Sequence, residues 1–134
     1  MSETPTIPEV LERSLKMRPP RYDRLMSSSM RVELLEEFML ESAYIQGDLT
    51  EARVEWEKVL WPLEQEWHDI TGWEEFRRNK TEAGVRAAKR MVRPDLWAMM
   101  EDIRWVIKRM GDEIERMEST AAKVSRSYTM ETGS

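Results

Sequence analysis

The chain has 134 residues, enough for one domain, and 35% of them are charged, with a formal net charge of −5. It has no cysteine and a single histidine, His68, which excludes disulfides and thiol chemistry and leaves little material for a metal site or a catalytic triad. It contains no phosphate-binding glycine motif and no apolar run near the ~20 residues that span a bilayer. Because no cationic start followed by an apolar stretch is visible, we also expect no secretory leader. We therefore expect a soluble, non-enzymatic protein without a cofactor, a metal or a membrane partner.

Residues 1–29 are predicted to form a separate N-terminal arm, rich in proline and ending in the run Ser27-Ser28-Ser29. Thr6 and Glu9 have the spacing of a capping box, and a short helix after them would present one apolar face, formed by Val10, Leu11 and Leu15. So short a helix is marginal in water unless it docks. A disordered arm and a docked helix both remain open.

From Leu35 onward, apolar residues recur at spacings of 3 and 4 over five heptads, which predicts a long helix with a coiled-coil-like seam. The seam positions are Leu35, Phe38, Ser42, Ile45, Leu49, Ala52, Trp56, Val59, Leu63, Trp67 and Ile70. Ser29 is the expected N-cap, and Thr71 and Gly72 are expected to end the helix. Because glycine weakens helices and proline lacks a donor, we expect a bend near Gly47 and a bend or break at Pro62.

A strongly basic segment follows, between Arg77 and Arg93, in a chain that is otherwise acidic. It carries seven cations and one acid, Glu82, so its charge is +6 and the other residues sum to −11. The seven cations are Arg77, Arg78, Lys80, Arg86, Lys89, Arg90 and Arg93. A local cationic surface usually meets phosphates or carboxylates, although a solvated surface with no partner is the alternative.

Part of this segment is predicted to be a short helix, Glu82 to Val92, with Thr81 as its N-cap. One face of the helix is apolar and a second face is cationic, at positions i, i+3, i+4 and i+7. The apolar face contains Val85, Ala88 and Val92, and the cationic face contains Arg86, Lys89, Arg90 and Arg93. The basic residues are therefore expected to form a stripe.

Arg93-Pro94 is expected to end the short helix, and Pro94 and Asp95 suit the first turn of a second long helix. Its seam consists of Leu96, Met99, Ile103, Val106, Met110, Ile114, Met117, Ala121, Val124 and Tyr128. Further apolar residues lie off that seam, at Trp97, Met100, Trp105 and Ile107. We predict an all-α fold, a long helical hairpin with a short basic connecting helix, and expect a homo-oligomer to bury the surplus apolar surface.

The chain is rich in tryptophan and methionine, with six and eleven residues respectively. Trp56 and Trp67 lie on the first seam, which favours a core role over stacking on bases. Trp73 and Phe76 stand beside the cations of the connector and are open to either role. The methionines suit core filling or an adaptable protein-binding surface.

The order of these parts resembles the UvsY-like family of bacteriophage recombination mediators. The similarity covers residues 35–128 and rests on the pattern of long helix, connector, short basic helix and second long helix. Its most specific piece is the segment Lys80-Thr81-Glu82-Ala83, which opens the short helix, with its spacing onward to Arg93-Pro94-Asp95.

The resemblance implies an all-helical homo-oligomer, a hexamer or larger ring, that binds single-stranded DNA in the cytoplasm of a bacterial host. It also implies loading of a RecA-like recombinase onto strands coated by single-stranded-DNA-binding protein. It assigns Lys80, Arg86, Lys89 and Arg90 to the strand. Lys58 matches a family cation at the end of the first long helix, although Leu60 and Trp61 follow where a second cation is expected. Arg77, Arg78 and Arg93 join this candidate site because they belong to the same basic segment.

The leading expectation is therefore a mediator whose residues 1–29 form an arm and whose residues 30–130 form the helical oligomerisation and nucleic-acid-binding domain. The alternative is a helical adaptor or assembly chaperone of a phage, with no role on nucleic acid, whose seams and Met/Trp surface bind a partner protein.

Overall fold

In a computed structural model, which describes residues 8–21, 25–70, 78 and 81–133, the chain forms four α-helices. They are α1 (Glu9–Lys16), α2 (Ser28–Asp69), α3 (Glu82–Val92) and α4 (Pro94–Thr132). No strand occurs within these residues, so the all-α class predicted from the sequence is confirmed for the described part of the chain. None of the helices in that part is long and apolar enough to cross a membrane.

Helix α1 begins after Pro8, whose carbonyl accepts hydrogen bonds from the amides of Leu11 and Glu12 at 3.0 and 3.3 Å. Pro8 is the N-cap, and no side-chain hydrogen bond caps the helix within the described residues. Thr6, the first residue of the predicted capping box, lies outside the described residues. Proline suits this place because it supplies a carbonyl and a fixed φ angle. The apolar face predicted for the helix is real, since Val10 and Leu11 are buried.

Buried polar contacts hold α1 against α4. The hydroxyl of Ser14, itself buried, donates to Glu113 Oε2 at 3.2 Å, and Arg116 Nη2 donates to the Ser14 carbonyl at 2.7 Å and to Glu113 Oε2 at 2.8 Å. An exposed ion pair joins Arg13 to Asp48 of α2 at 2.8 Å. Of the two alternatives for the arm, the docked helix is the one observed.

Helix α2 starts two residues earlier than the sequence predicts. The hydroxyl of Ser27, not of Ser29, accepts the capping hydrogen bond, from the Met30 amide at 3.2 Å. Ser27, Ser28 and Ser29 are equally good caps, and the start is chosen by where the chain enters the helix. The helix then runs without a break through Gly47 and Pro62 to Asp69, and Ile70 follows in a 3₁₀ turn. The predicted end at Thr71 and Gly72 lies outside the described residues.

The contacts divide the chain into two compact units, one spanning Val54–Lys108 and the other joining residues 8–53 to residues 109–133. In the first unit, α2 and α4 share a core of six buried residues, Leu60, Trp67, Ile70, Leu96, Met100 and Ile103. Ala88 of α3 packs against this core, together with Trp56, Leu63, Trp97, Met99 and Ile107. The core thereby fixes α3 between its two neighbours in the sequence.

In this unit the buried positions of α2 differ from the predicted seam at one residue. Val59, a predicted seam residue, is 57% exposed, whereas Leu60 is 9% exposed and belongs to the core. Spacings of 3 then 4 and of 4 then 3 both connect Trp56 to Leu63, so periodicity alone fits either residue. Packing against α4 decides in favour of Leu60.

The second unit has its own core, in which Leu35 and Phe38 of α2 pack with Val124 of α4, flanked by Met17, Met39 and Tyr128. Six more apolar side chains are buried in this unit, Val10, Leu11, Ile45, Leu49, Met110 and Met117. Fully burying a side chain of this size contributes roughly 1.5–3 kcal/mol. Ser42, the polar position of the seam, is also buried, and its hydroxyl accepts a hydrogen bond from the side-chain amide of Gln46 at 3.0 Å.

Candidate nucleic-acid interface

Helix α3, which carries the predicted basic stripe, forms at the residues and with the cap that the sequence predicts. The Thr81 hydroxyl accepts a hydrogen bond from the Gly84 amide at 3.0 Å, which satisfies one of the unpaired donors at the helix start. Arg93 caps the other end, and its amide donates to the Lys89 carbonyl at 2.9 Å. Pro94 then opens α4, so the boundary predicted at Arg93-Pro94 is confirmed.

The stripe does not face solvent uniformly, because Lys89 is buried, with 5% of its surface exposed. Its ammonium lies over the ring of Trp67, with Nζ 5.3 Å from the ring centroid. Burial lowers the pKa of Lys89 below its ordinary value, because desolvation penalises the charged form. Within the first unit this lysine therefore joins α3 to α2.

Arg90, the next residue, is exposed and lies over a second tryptophan. Its guanidinium carbon is 4.2 Å from the ring centroid of Trp97, at the start of α4. The rings of Trp67 and Trp97 are themselves 5.2 Å apart and tilted by 41°. Lys89, Trp67, Trp97 and Arg90 thus form one group, which we call the Trp–cation cluster. Cation–π contacts stabilise by about 0.5–2 kcal/mol, depending on how far the cation is desolvated.

Arg93, the last cation of the stripe, is engaged by two acids. Its guanidinium contacts Glu66 Oε1 at 2.8 Å and Asp95 Oδ1 at 3.3 Å. Hydrogen bonds to Asp95 and then Glu66 raise the pKa of Arg93, and the hydrogen bond from Arg93 lowers the pKa of Asp95. The charge of Arg93 is therefore compensated within the protein.

Arg86 and Lys58 make weaker pairs within their own helices. Arg86 is 3.5 Å from Glu82, and Lys58 is 3.1 Å from Glu55, with the side chains of both pairs more than half exposed. Exposed pairs of this kind contribute little and exchange readily for another anion. Both cations remain accessible to a phosphate.

The remaining predicted site residues lie in the connector. Arg78 is exposed in a turn, whereas Arg77 and Lys80 lie outside the described residues, as do Trp73 and Phe76. Four of the eight predicted cations are thus brought together, Arg86, Lys89 and Arg90 on α3 and Arg93 as its C-cap.

Sequence reasoning missed the partners of these cations. From the sequence, Trp97 is predicted only to be surplus apolar surface and Trp67 only to be a seam residue. One signal was available for Lys89: it stands four residues after Val85 and one after Ala88, at the border of the apolar face, where a long side chain can bury its stem. No comparable signal marks the Arg90–Trp97 contact, which depends on how α4 leaves Pro94.

Other chemistry has little support within the described residues. They contain no group of three or more histidine or acidic side chains placed to hold a metal ion. A cavity of about 270 Å³ in the second unit is lined by Pro19, Pro20, Leu35, Thr120, Lys123, Val124 and Ser127. Lys123 is the titratable side chain of that lining, so the cavity brings together no acid–base pair.

Comparison of the chain with protein-family models, with curated proteins and with solved structures gives no match. A functional assignment therefore depends on the geometry of the candidate interface.

Proposed function

We propose that this protein is a non-enzymatic recombination mediator of a bacteriophage, which binds single-stranded DNA in the cytoplasm of the bacterial host. One observation supports the proposal above others. Arg90 is an exposed residue whose guanidinium lies over Trp97 and is not paired with a carboxylate among the described residues. A cation held in place without a counter-charge is suited to a phosphate, and tryptophan beside cations is typical of single-strand binding surfaces.

The cations of the candidate site have two roles in this proposal. Arg86 and Arg90, with Arg78 and with Arg77 and Lys80 of the connector, contact the strand. Lys89 and Arg93 mainly hold α3 in place, because one is buried on Trp67 and the other is bonded to Glu66 and Asp95. Lys58 is a secondary strand contact on α2.

Assembly completes the proposal. The long helices form a hairpin, and copies of it form a homo-oligomer, a hexamer or larger, which repeats the stripe. Repetition raises the avidity for a long strand even when each stripe binds weakly. Acidic surfaces and the N-terminal arm then engage a RecA-like recombinase and help load it onto strands coated by single-stranded-DNA-binding protein.

Binding of a labelled oligonucleotide, followed by fluorescence anisotropy across a salt series, tests the DNA-binding step. We expect wild-type affinity to fall as salt rises, because bound cations release counterions from the strand. The double variant Arg86→Ala/Arg90→Ala should bind more weakly, and the slope of log affinity against log salt should become shallower by about 1.4, since each lost cation contributes ~0.7.

The matched control is Lys123→Ala/Arg126→Ala, which removes two exposed cations from α4 in the second unit. This control should retain the wild-type affinity and slope. Equal losses in both double variants would indicate an effect of net charge alone. A wild-type protein that shows no binding to single-stranded DNA at low salt would contradict the proposed function.

The alternative function, a helical adaptor or assembly chaperone, is favoured by a different observation. Several large apolar side chains are exposed, among them Trp61 at 65% and Met91 at 84%. Apolar side chains in this number are typical of surfaces that bind other proteins. A folded, oligomeric protein without affinity for single strands would support the adaptor.

A further inference from the structure

The contact between Arg90 and Trp97 differs from the other cation contacts of α3 because it leaves one side of the guanidinium available to a further group. Trp97 lies on one side of the guanidinium, with its ring centroid 4.2 Å from the guanidinium carbon. Arg90 is an exposed residue, so a further group would approach its guanidinium from the side away from Trp97. Lys89 lacks such a face because it is buried and its ammonium is a point charge without a plane.

The edge of the Arg90 guanidinium is open as well. Within the described residues no carboxylate lies within ion-pair distance of it, whereas Arg93 contacts Glu66 and Asp95 and Arg86 contacts Glu82. A guanidinium carries five N–H donors in its plane. Its edge can therefore bind a phosphate while its outer face stacks on a planar group.

A nucleotide of a single strand supplies both partners. Its base is a planar π system that stacks on guanidinium planes, and its phosphate accepts hydrogen bonds from the guanidinium edge. In a duplex the bases are stacked on one another and unavailable. An arginine held over an aromatic ring, with one side left for a base, thus distinguishes a single strand from a duplex.

We propose that a nucleobase of the bound strand stacks on the outer face of Arg90, which makes Trp97, Arg90 and the base three successive layers. Trp97 is a positioning residue in this arrangement, because it acts on the base through Arg90. Trp67 supports Trp97 from within the core, with the two ring centroids 5.2 Å apart. This inference rests on the proposed function and deepens it: the surface binds the phosphates of the strand and also stacks on one of its bases.

The test compares a thymidine oligonucleotide with an abasic oligonucleotide of the same length and charge, in the anisotropy assay. Wild-type protein should prefer the strand with bases by about tenfold, which corresponds to ~1.4 kcal/mol for one stacked base. Arg90→Lys should bind both strands with similar affinity and with an unchanged salt slope. Lysine keeps the charge and loses the plane.

Two further variants complete the design. Arg86→Lys is the matched control on the same helix, and it should keep the preference for bases because Arg86 has no aromatic partner among the described residues. Trp97→Leu should reduce the preference by releasing Arg90. Arg90→Lys decides the result if Trp97→Leu does not fold.

The outcomes separate the inference from the function on which it rests. A wild-type protein that binds both strands equally would overturn the stacking inference and leave DNA binding in place. A preference for bases that persists in Arg90→Lys would also overturn it. Failure of the wild-type protein to bind either strand would contradict the proposed function itself.

Discussion

Single residues of α3 show how one cationic stripe divides into different roles. Four cations share one side of the helix, yet one is buried on an indole, one lies exposed over another indole, one is bonded to two acids and one is loosely paired. The differences arise from what the neighbouring helices place beside each cation. Charge alone therefore does not identify which cations are available to a ligand.

Lys89 allows a test of its structural role. Lys89→Met keeps an apolar stem over Trp67 and removes the charge, so we expect the free energy of unfolding to stay the same or rise slightly. The reason is the direction of the pKa shift. Burial lowers the pKa of Lys89 below its ordinary 10.5, so the folded state disfavours the charged form. The contribution of Lys89 to the free energy of unfolding therefore increases as pH rises toward 10.5.

Lys89→Ala is the companion variant, and it should lower the free energy of unfolding by about 1 kcal/mol, because the packed stem is lost. Urea unfolding measures both variants. A loss in Lys89→Met as large as that in Lys89→Ala would mean that the contact between the ammonium and Trp67 outweighs the desolvation of the charge.

At the scale of elements, capping side chains determine where a helix starts, and the burial of apolar side chains determines where the helix packs. Thr81 caps α3 as its sequence context predicts, whereas α2 is capped by Ser27 and not by Ser29, the N-cap that the sequence predicts. Helix α1 has only eight residues and no side-chain cap, so its stability comes from docking. The docking combines the buried Val10 and Leu11 with the polar contacts of Ser14.

Arg116→Ala should loosen α1. Arg116 bonds both the Ser14 carbonyl and the carboxylate of Glu113, so its removal leaves a buried carboxylate with the Ser14 hydroxyl as its remaining partner in the described chain. An under-satisfied buried group costs about 1–3 kcal/mol, which predicts roughly tenfold faster hydrogen exchange of the α1 amides.

Arg13→Ala is the matched control, because Arg13 also joins α1 to the rest of its unit but through an exposed pair with Asp48. Its effect should stay within about 0.5 kcal/mol. Equal increases in both arginine variants would mean that the exposed pair contributes as much as the buried polar contacts. No change in either variant would mean that the apolar face of α1 holds the helix.

At the scale of the whole molecule, the chain has two main features. A basic segment of charge +6 lies in a chain of net charge −5, and the chain forms two units that each have a core of their own. Large apolar side chains are exposed in both units, including Trp61 in one and Tyr44 in the other. Exposed rings of this kind are typical anchors of interfaces between copies. They are consistent with the proposed homo-oligomer.

Light scattering after size exclusion tests the assembly. We expect wild-type protein at micromolar concentration to be a homo-oligomer, and Trp61→Glu to shift it toward lower mass. A buried aromatic anchor contributes on the order of 2 kcal/mol or more, so association should weaken by about 30-fold.

Ser119→Glu adds the same charge at an exposed position of α4 and should leave the mass unchanged. A wild-type monomer at micromolar concentration would contradict the proposed oligomer. An oligomer unaffected by Trp61→Glu would place the interface elsewhere.

The sequence by itself determined the features that depend on neighbours within a few residues. The 3–4 spacing, Thr81 and the Arg93-Pro94 boundary were enough to predict α3, the start of α4 and most of α2, because hydrogen bonds and backbone restrictions in helices are local. The basic segment was likewise visible without a structure.

Only the tertiary structure decided which of two residues that fit the local pattern equally well is buried or makes a contact. Packing against α4 buries Leu60 and leaves Val59 exposed, and docking turns α1 from a marginal helix into part of a unit. The same holds for the candidate site, where Trp67 and Trp97 separate a buried Lys89 from an exposed Arg90. Periodicity specifies the direction of a side chain around its own helix, but the group it meets belongs to another helix, which only packing brings near.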